Sequence, residues 1–385
     1  MKSRPCVPYL AATVLIKIGG TTMKMSWLCG FAIVAALWNV ESAPATPWSG
    51  QHGQHVEQYS GEVRKPVGGR FLLYLPQGFA SHGATRYPLL IFLHGSGESG
   101  VDIDKVKFNG PPKFLDARTD FPFIVVSPQA ASANVGFDID GLNLLLDQVL
   151  HQLPIDTDRI YLTGLSMGGY ATYEWASARP GTFAAIAPIS GAGNPWDACA
   201  LTRVPIWAFH GAQDDVVKTA DDQAMVDAIK GCGGDIKFTV YPDLGHSAWE
   251  PAYQDPELYQ WLLSHRLDHA RARRSMAELA ARKTRIHNQR PDANAEPTLR
   301  RLIKEYLAGK PDYSRMSPTL AAAGRENLAQ VTAHLEKLGV LEKLSYRATG
   351  YDGTDLYEGK FANGKARLQL LLQAGKIINA TLDPL

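Results

Sequence analysis

Between residues 66 and 265 the chain repeats one pattern: a short apolar run without polar alternation, a turn, then a stretch of helical spacing. The runs are RFLLYLP (70–76), YPLLIFLHG (87–95), FPFIVVSPQ (121–129), RIYLTG (159–164), FAAIAPISG (183–191), VPIWAFHG (204–211) and KFTVYP (237–242). A strand covered on one face alternates apolar and polar residues. A continuously apolar strand is stable where both faces are covered. Such strands, separated by helices such as GLNLLLDQVLHQL (141–153) and GYATYEWASARP (169–180), predict an α/β architecture with a doubly wound, mostly parallel sheet.

Within that frame, Gly164-Leu165-Ser166-Met167-Gly168 fits G-x-S-x-G. Glycines on both sides allow the sharp strand-to-helix turn that lifts a serine oxygen above the sheet edge. The following helix N-terminus favours negative charge there. A serine hydroxyl needs a base to take its proton, and the base needs an orienting acid. The chain order Ser, Asp, His is available at strand ends: FHGAQDD (209–215) offers Asp214 ahead of Asp215, and YPDLGHSAW (241–249) offers His246. Asp214 is preferred as the acid nearer its strand. His94 and His210 each precede a glycine and suit loop support better than proton transfer. An oxyanion needs backbone donors, expected from Met167, next to the serine, and from Ser96 in HGSGESG (94–100). Asp214 follows Ser166 by only 48 positions, too few for a large lid, so an open site is expected. The 98–120 stretch should wall it, and Trp196 and Trp249 are candidates for substrate contact or for ordinary packing.

LLIFLHGSGESG, GLSMGGYATYEWA, PISGAG, FHGAQDDVV and GHSAW together resemble the α/β-hydrolase superfamily. More closely, they are similar to polyhydroxybutyrate-depolymerase-like and feruloyl-esterase-like serine esterases, some of whose relatives are labelled peptidases of the prolyl oligopeptidase type. The resemblance covers about residues 60–265. It implies hydrolysis through an acyl-enzyme, with Ser166, Asp214 and His246 at the matching positions and no metal or organic cofactor. Lys218 departs from the proline common after DDVV.

Residues 266–298 are rich in arginine and alanine and read as a linker, helical at 276–283. Without interleaved aromatics or a recognition motif they do not point to nucleic acid, and the formal charge of +1 agrees. Residues 299–385 predict a small α+β accessory domain. It has a helix at 299–309 and another at 317–339, with Ser317 as cap, Pro318 in the first turn and Gly339 as stop. Four strands follow, with Asn363-Gly364 as a type I′ hairpin signal.

At the other end, Lys24 precedes an apolar run over 27–38 and small residues at Ala43 and Ala45. That is the pattern of a secretory signal, and the run is short of the about 20 residues a membrane span needs. Residues 1–22 fit no such pattern, which suggests a start at Met23 or Met25. The domains expected are therefore 1–45 extension and signal, 46–265 catalytic, 266–298 linker and 299–385 accessory. Cys6 and Cys29 would leave with the signal. Cys199 precedes the strand at Val204, and the helix over 219–230 returns to that same sheet end before Cys232, so these two are expected to form a disulfide.

The expected protein is a secreted or periplasmic serine carboxylesterase acting on a small or polymer-attached ester, with no membrane span after signal cleavage. A serine peptidase using the same residues and a non-catalytic secreted binding protein are the alternatives. Mass spectrometry of the exported chain is expected to find Thr46 first, with cleavage after Ser42 or Ala43 the next choices. An N-terminus at Met1 or Met23 would overturn the signal reading.

Overall fold

The computed structural model describes residues 15–18, 21–24, 65–118 and 120–385. The signal reading, Cys6 and Cys29 lie outside these residues. In the first of two compact units, residues 1–65, strands β1 (Leu15–Ile18) and β2 (Thr21–Lys24) pair antiparallel. Everything from Pro66 to Leu385 forms the second.

The second unit is built on a seven-stranded sheet of β3 (Phe71–Tyr74), β4 (Tyr87–Leu93), β5 (Ile124–Pro128), β6 (Ile155–Leu165), β7 (Ala185–Ile189), β8 (Ile206–Gly211) and β9 (Ile236–Tyr241). Their order across the sheet is β3-β5-β4-β6-β7-β8-β9. Only the β3–β5 pair is antiparallel. Successive residues of β4 explain why its sequence does not alternate. Leu89, Ile91 and Leu93 belong to one apolar cluster, and Leu90 and Phe92 to another. The first cluster packs under α2 (Ile139–Gln152), α3 (Met167–Ala178) and α4 (Thr219–Gly231). The second lies under the short α1 (Pro112–Leu115), α5 (Trp249–Gln254) and α6 (Pro256–Ser264). Parallel strands put all their C-terminal ends on one edge, where the loops carrying Ser166, Asp214 and His246 emerge.

The arginine-rich segment differs from its sequence reading. It forms one helix, α7 (His269–His287), capped by the Asp268 side chain at the Ala270 and Arg271 amides. Its composition lacks an apolar stripe because polar links hold it. Arg203 bonds Glu278 at 2.8 Å on one side, and Arg285 bonds the buried Asp355 at 2.5 Å on the other. Beyond it come α8 (Ala295–Leu307), α9 (Pro318–Glu326) and α10 (Leu328–Leu338). The helix expected over 317–339 is thus divided at Asn327, whose side-chain amide bonds the Ala323 carbonyl. Ser317 caps α9 at the Leu320 amide.

The chain ends in an antiparallel sheet, β10 (Leu341–Thr349), β11 (Asp355–Phe361), β12 (Gly364–Gln373) and β13 (Lys376–Pro384), in that order. Phe361 pairs with Gly364, so the β11–β12 turn is Ala362-Asn363 rather than Asn363-Gly364. Two successive positive φ angles, as a type I′ turn needs, occur instead at Ala374 (48°) and Gly375 (77°) between β12 and β13.

Cys199 and Cys232 are joined, linking the turn before β8 to the end of α4 with their Cα atoms 5.2 Å apart. The bridge closes a loop of 33 residues. Replacing both cysteines by serine is expected to cost about 3–4 kcal/mol by the loop-entropy relation. Urea unfolding of the double variant measures it, and an unchanged midpoint would contradict the expectation.

Candidate active site

Ser166 stands between the end of β6 and the start of α3 with φ 51° and ψ −117°, a conformation L residues rarely adopt. Its amide donates to the Ile189 carbonyl at 2.9 Å, tying the turn to the next strand. The flanking glycines are required by contact. A Cβ on Gly168 would lie 2.0 Å from the Leu93 carbonyl oxygen, and one on Gly164 would lie 2.3 Å from that of Gly168. Only a backbone without side chains fits where the helix start presses on the ends of β4 and β6.

His246 comes from the loop after β9. Its Nε2 accepts from the Ser166 hydroxyl at 2.9 Å, and its Nδ1 donates to Asp214 Oδ2 at 2.8 Å. Asp214, on the loop after β8, is 5% exposed. Its other oxygen accepts from the Val216 and Val217 amides, both at 2.9 Å. Burial by itself would raise the Asp214 carboxyl; the bonds from His246 and the two amides outweigh it and hold the group below its ordinary value. Asp215 is exposed. Met167 opens α3, so its amide is among the helix's unpaired first-turn donors. Ser96 starts a 3₁₀ turn, Ser96–Glu98, just past β4, and is exposed.

His94 and His210 are fully buried. His94 Nδ1 donates to the Gly95 carbonyl at 2.6 Å and Nε2 accepts from the Ala130 amide at 2.9 Å, a clamp between two loops. Burial pushes its pKa down. His210 Nδ1 faces Asp222 at 3.0 Å, and its Nε2 faces the Val217 carbonyl at 3.0 Å and Asp214 Oδ2 at 3.2 Å.

Of the two tryptophans, Trp249 sets its ring edge-on to His246, 5.1 Å between centroids. Its indole Nε1 donates to Asn109 Oδ1 at 3.2 Å, and Asn109 in turn bonds Glu98. This Glu98–Asn109–Trp249 chain joins the loop after β4 to the loop bearing His246. Sequence reasoning placed 98–120 as a wall without naming Asn109 or Glu98, which carry no motif. Trp196 lies on the turn Pro195–Leu201, 42% exposed. Among the described residues no hydrogen bond or ring contact joins it to Ser166, Asp214 or His246. Nor, among them, do three or more His, Cys, Asp or Glu side chains converge as metal ligands, and no helix is long and apolar enough to cross a membrane.

Residues 119–257 match the family model described as Phospholipase/Carboxylesterase. With the sheet order above, that match makes the fold of this region α/β-hydrolase-like. Among curated proteins, the chain is 32% identical over 158 residues to the bifunctional acetylxylan esterase/xylanase XynS20E of Neocallimastix patriciarum, covering 38% of this chain and 21% of that one. It is 30% identical over 177 residues to a probable feruloyl esterase C of Aspergillus terreus, covering 42% and 64%. The match thus spans about a fifth of the first relative and less than two thirds of the second. A solved thermostable esterase is 28% identical with a TM-score of 0.44, over 51% of this chain and 59% of that one.

Gly168→Ala is expected to lower stability by about 1–3 kcal/mol, because its new methyl meets backbone. Gly97→Ala, where a Cβ meets nothing within 4 Å, is the control and should leave the urea midpoint in place. Equal stability of the two variants would contradict the packing argument.

Proposed function

We propose that this chain is an exported serine hydrolase that cleaves carboxylic esters through an acyl-enzyme. The observation that carries the reading is the unbroken hydrogen-bond chain Ser166–His246–Asp214 on a strained strand-to-helix turn. The ester chemistry in the printed names of the relatives supports the substrate class. The disulfide supports an oxidising compartment.

In this mechanism Ser166 Oγ attacks the ester carbonyl while its proton passes to His246 Nε2. Asp214 holds the ring by Nδ1 and stabilises the imidazolium that forms. The oxyanion is met by the Met167 amide and by the Ser96 amide, aided by the N-terminus of α3. The imidazolium then protonates the departing alkoxide, leaving the acyl group on Ser166. Water enters, loses its proton to His246 and attacks the acyl carbon; the bond to Ser166 Oγ breaks as His246 returns that proton to Oγ, and the carboxylic acid departs. Tyr170, 43% exposed and one turn past Ser166, and Val216, 67% exposed beside Asp214, offer apolar surface to the acyl or alcohol portion.

Hydrolysis of p-nitrophenyl acetate, butyrate and octanoate, methyl ferulate and a peptide p-nitroanilide tests the reading. Ser166→Ala is expected to lose on the order of 10⁴-fold or more in kcat on the esters. Asp214→Asn should lose about 10⁴-fold by leaving His246 in the wrong tautomer. Ester turnover indifferent to Ser166 would overturn the mechanism, and amide cleavage at equal efficiency would replace the substrate class.

A further inference from the structure

Asp214 has a second histidine. His210 Nε2 lies 3.2 Å from the same Oδ2 that receives His246 Nδ1. Both groups facing His210 Nε2, the Val217 carbonyl and the Asp214 carboxylate, are pure acceptors. A bare nitrogen would meet lone pairs on two sides at full burial, so Nε2 must carry a proton. The opposite nitrogen, Nδ1, shares one proton with Asp222 Oδ2 at 3.0 Å. Asp222 Oδ1 accepts from the Tyr173 hydroxyl at 2.9 Å, and Tyr173, Asp222 and His210 are each 1% exposed or less. The elements packed around this group contribute Tyr173 and Tyr170 from α3, Asp221 and Asp222 from α4, Asp214 and Asp215 from the loop after β8, and His246 from the loop after β9. Burial by itself would lower the His210 pKa; its bonds to Asp222 and the Val217 carbonyl, with the charges of Asp222 and Asp214, raise it above the ordinary value.

Resting on the serine-hydrolase reading above, we infer that His210 is a positioning residue. Anchored by Asp222 and Tyr173, it donates Nε2–H to the carbonyl of Val217, whose amide holds Asp214 Oδ1, and sets that N–H 3.2 Å from Asp214 Oδ2. It so sets the position of the carboxylate and the share of its charge that reaches His246. Asp214 thus receives three hydrogen bonds, two from amides on Oδ1 and one from His246 on Oδ2, with the His210 Nε2–H beside Oδ2 as an electrostatic neighbour. Removing the polar His210 N–H beside Oδ2 concentrates charge toward His246. An imidazolium at His246 is then held more firmly, and the bare base needed for attack appears only at higher pH.

A fluorophosphonate reads this without a known substrate. Ser166 Oγ forms the bond to phosphorus, fluoride leaves, and the serine proton goes to His246, so the labelling rate follows the fraction of unprotonated base. His210→Asn keeps a polar group at the Nδ1 position facing Asp222 but does not reach Asp214. His210→Gln extends its amide to the Nε2 position and restores an N–H facing the Val217 carbonyl and Asp214. The acidic limb of the rate profile is expected to move up by about one pH unit in the Asn variant and to stay near the parent's in the Gln variant. A role limited to filling the core would follow thermal stability in both variants and leave the limb in place. An unmoved limb in His210→Asn, or equal shifts in both, would overturn the inference. Where a variant does not fold, ¹⁵N resonances of the parent chain carry the test. His210 Nε2 should stay protonated while His246 titrates, and a bare Nε2 would overturn the inference. Failure of the underlying reading looks different: the parent chain and Ser166→Ala would label alike.

Discussion

The site depends on how closely the first turn of α3 approaches the end of β4. Gly168 sits so near the Leu93 carbonyl that no side-chain atom fits between them. That contact sets where the helix begins. It therefore sets the unusual φ of Ser166 and places the hydroxyl above the sheet edge rather than along the strand. The strain of that residue, of order 1–3 kcal/mol, persists only because the neighbours over-determine it. The Ile189 carbonyl holds its amide, and two buried apolar layers hold the strands on either side. His246 and Asp214 then need only loops, since parallel strands deliver both to the same edge.

The sheet was legible because its strands are apolar on both faces, a requirement of parallel pairing that leaves an unmistakable run such as 87–95. The site was legible for a related reason. Glycines at 164 and 168 are constraints of backbone geometry written locally in the chain, and Ser166, Asp214 and His246 each follow the end of a strand that was itself legible. What stayed hidden is what depends on pairing between distant residues. The helix α7 has only Ala272 and Ser275 buried, so no apolar period announces its length; its hold on the neighbouring elements lies in Arg203–Glu278 and Arg285–Asp355. The turn expected at Asn363-Gly364 shifts by one residue because the register is fixed by the apolar positions of β11 and β12, such as Tyr357 opposite Leu368. Asn109 had no signal at all, since it joins Glu98 to Trp249, which lies 140 residues further along the chain.

Histidines illustrate the same division. His94, His210 and His246 all lie next to a glycine at or just past a strand end, yet their surroundings give them different tasks. His94 spends both nitrogens on backbone. His246 keeps one nitrogen for the serine and remains partly open, its side chain 18% exposed. His210 faces carboxylates on both sides and meets no solvent. The glycine that follows His94 and His210 sets them apart from His246 in the sequence; the acceptors around each ring define what each one does.

The helix α4 has anchors along its whole length. Near its start, Asp222 reaches His210 behind the acid of the site; at its end, Cys232 is bonded to the turn before β8, and Gly231 lies where a Cβ would be 2.0 Å from Pro318, the first residue of α9. At 1.5 Å per residue it is a strut roughly 20 Å long, fixed covalently at the far support and by hydrogen bonds at the near one. The seating of the C-terminal helices is thus registered on the same beam that carries Asp222, and the candidate site inherits its alignment from a joint at the other end of that helix.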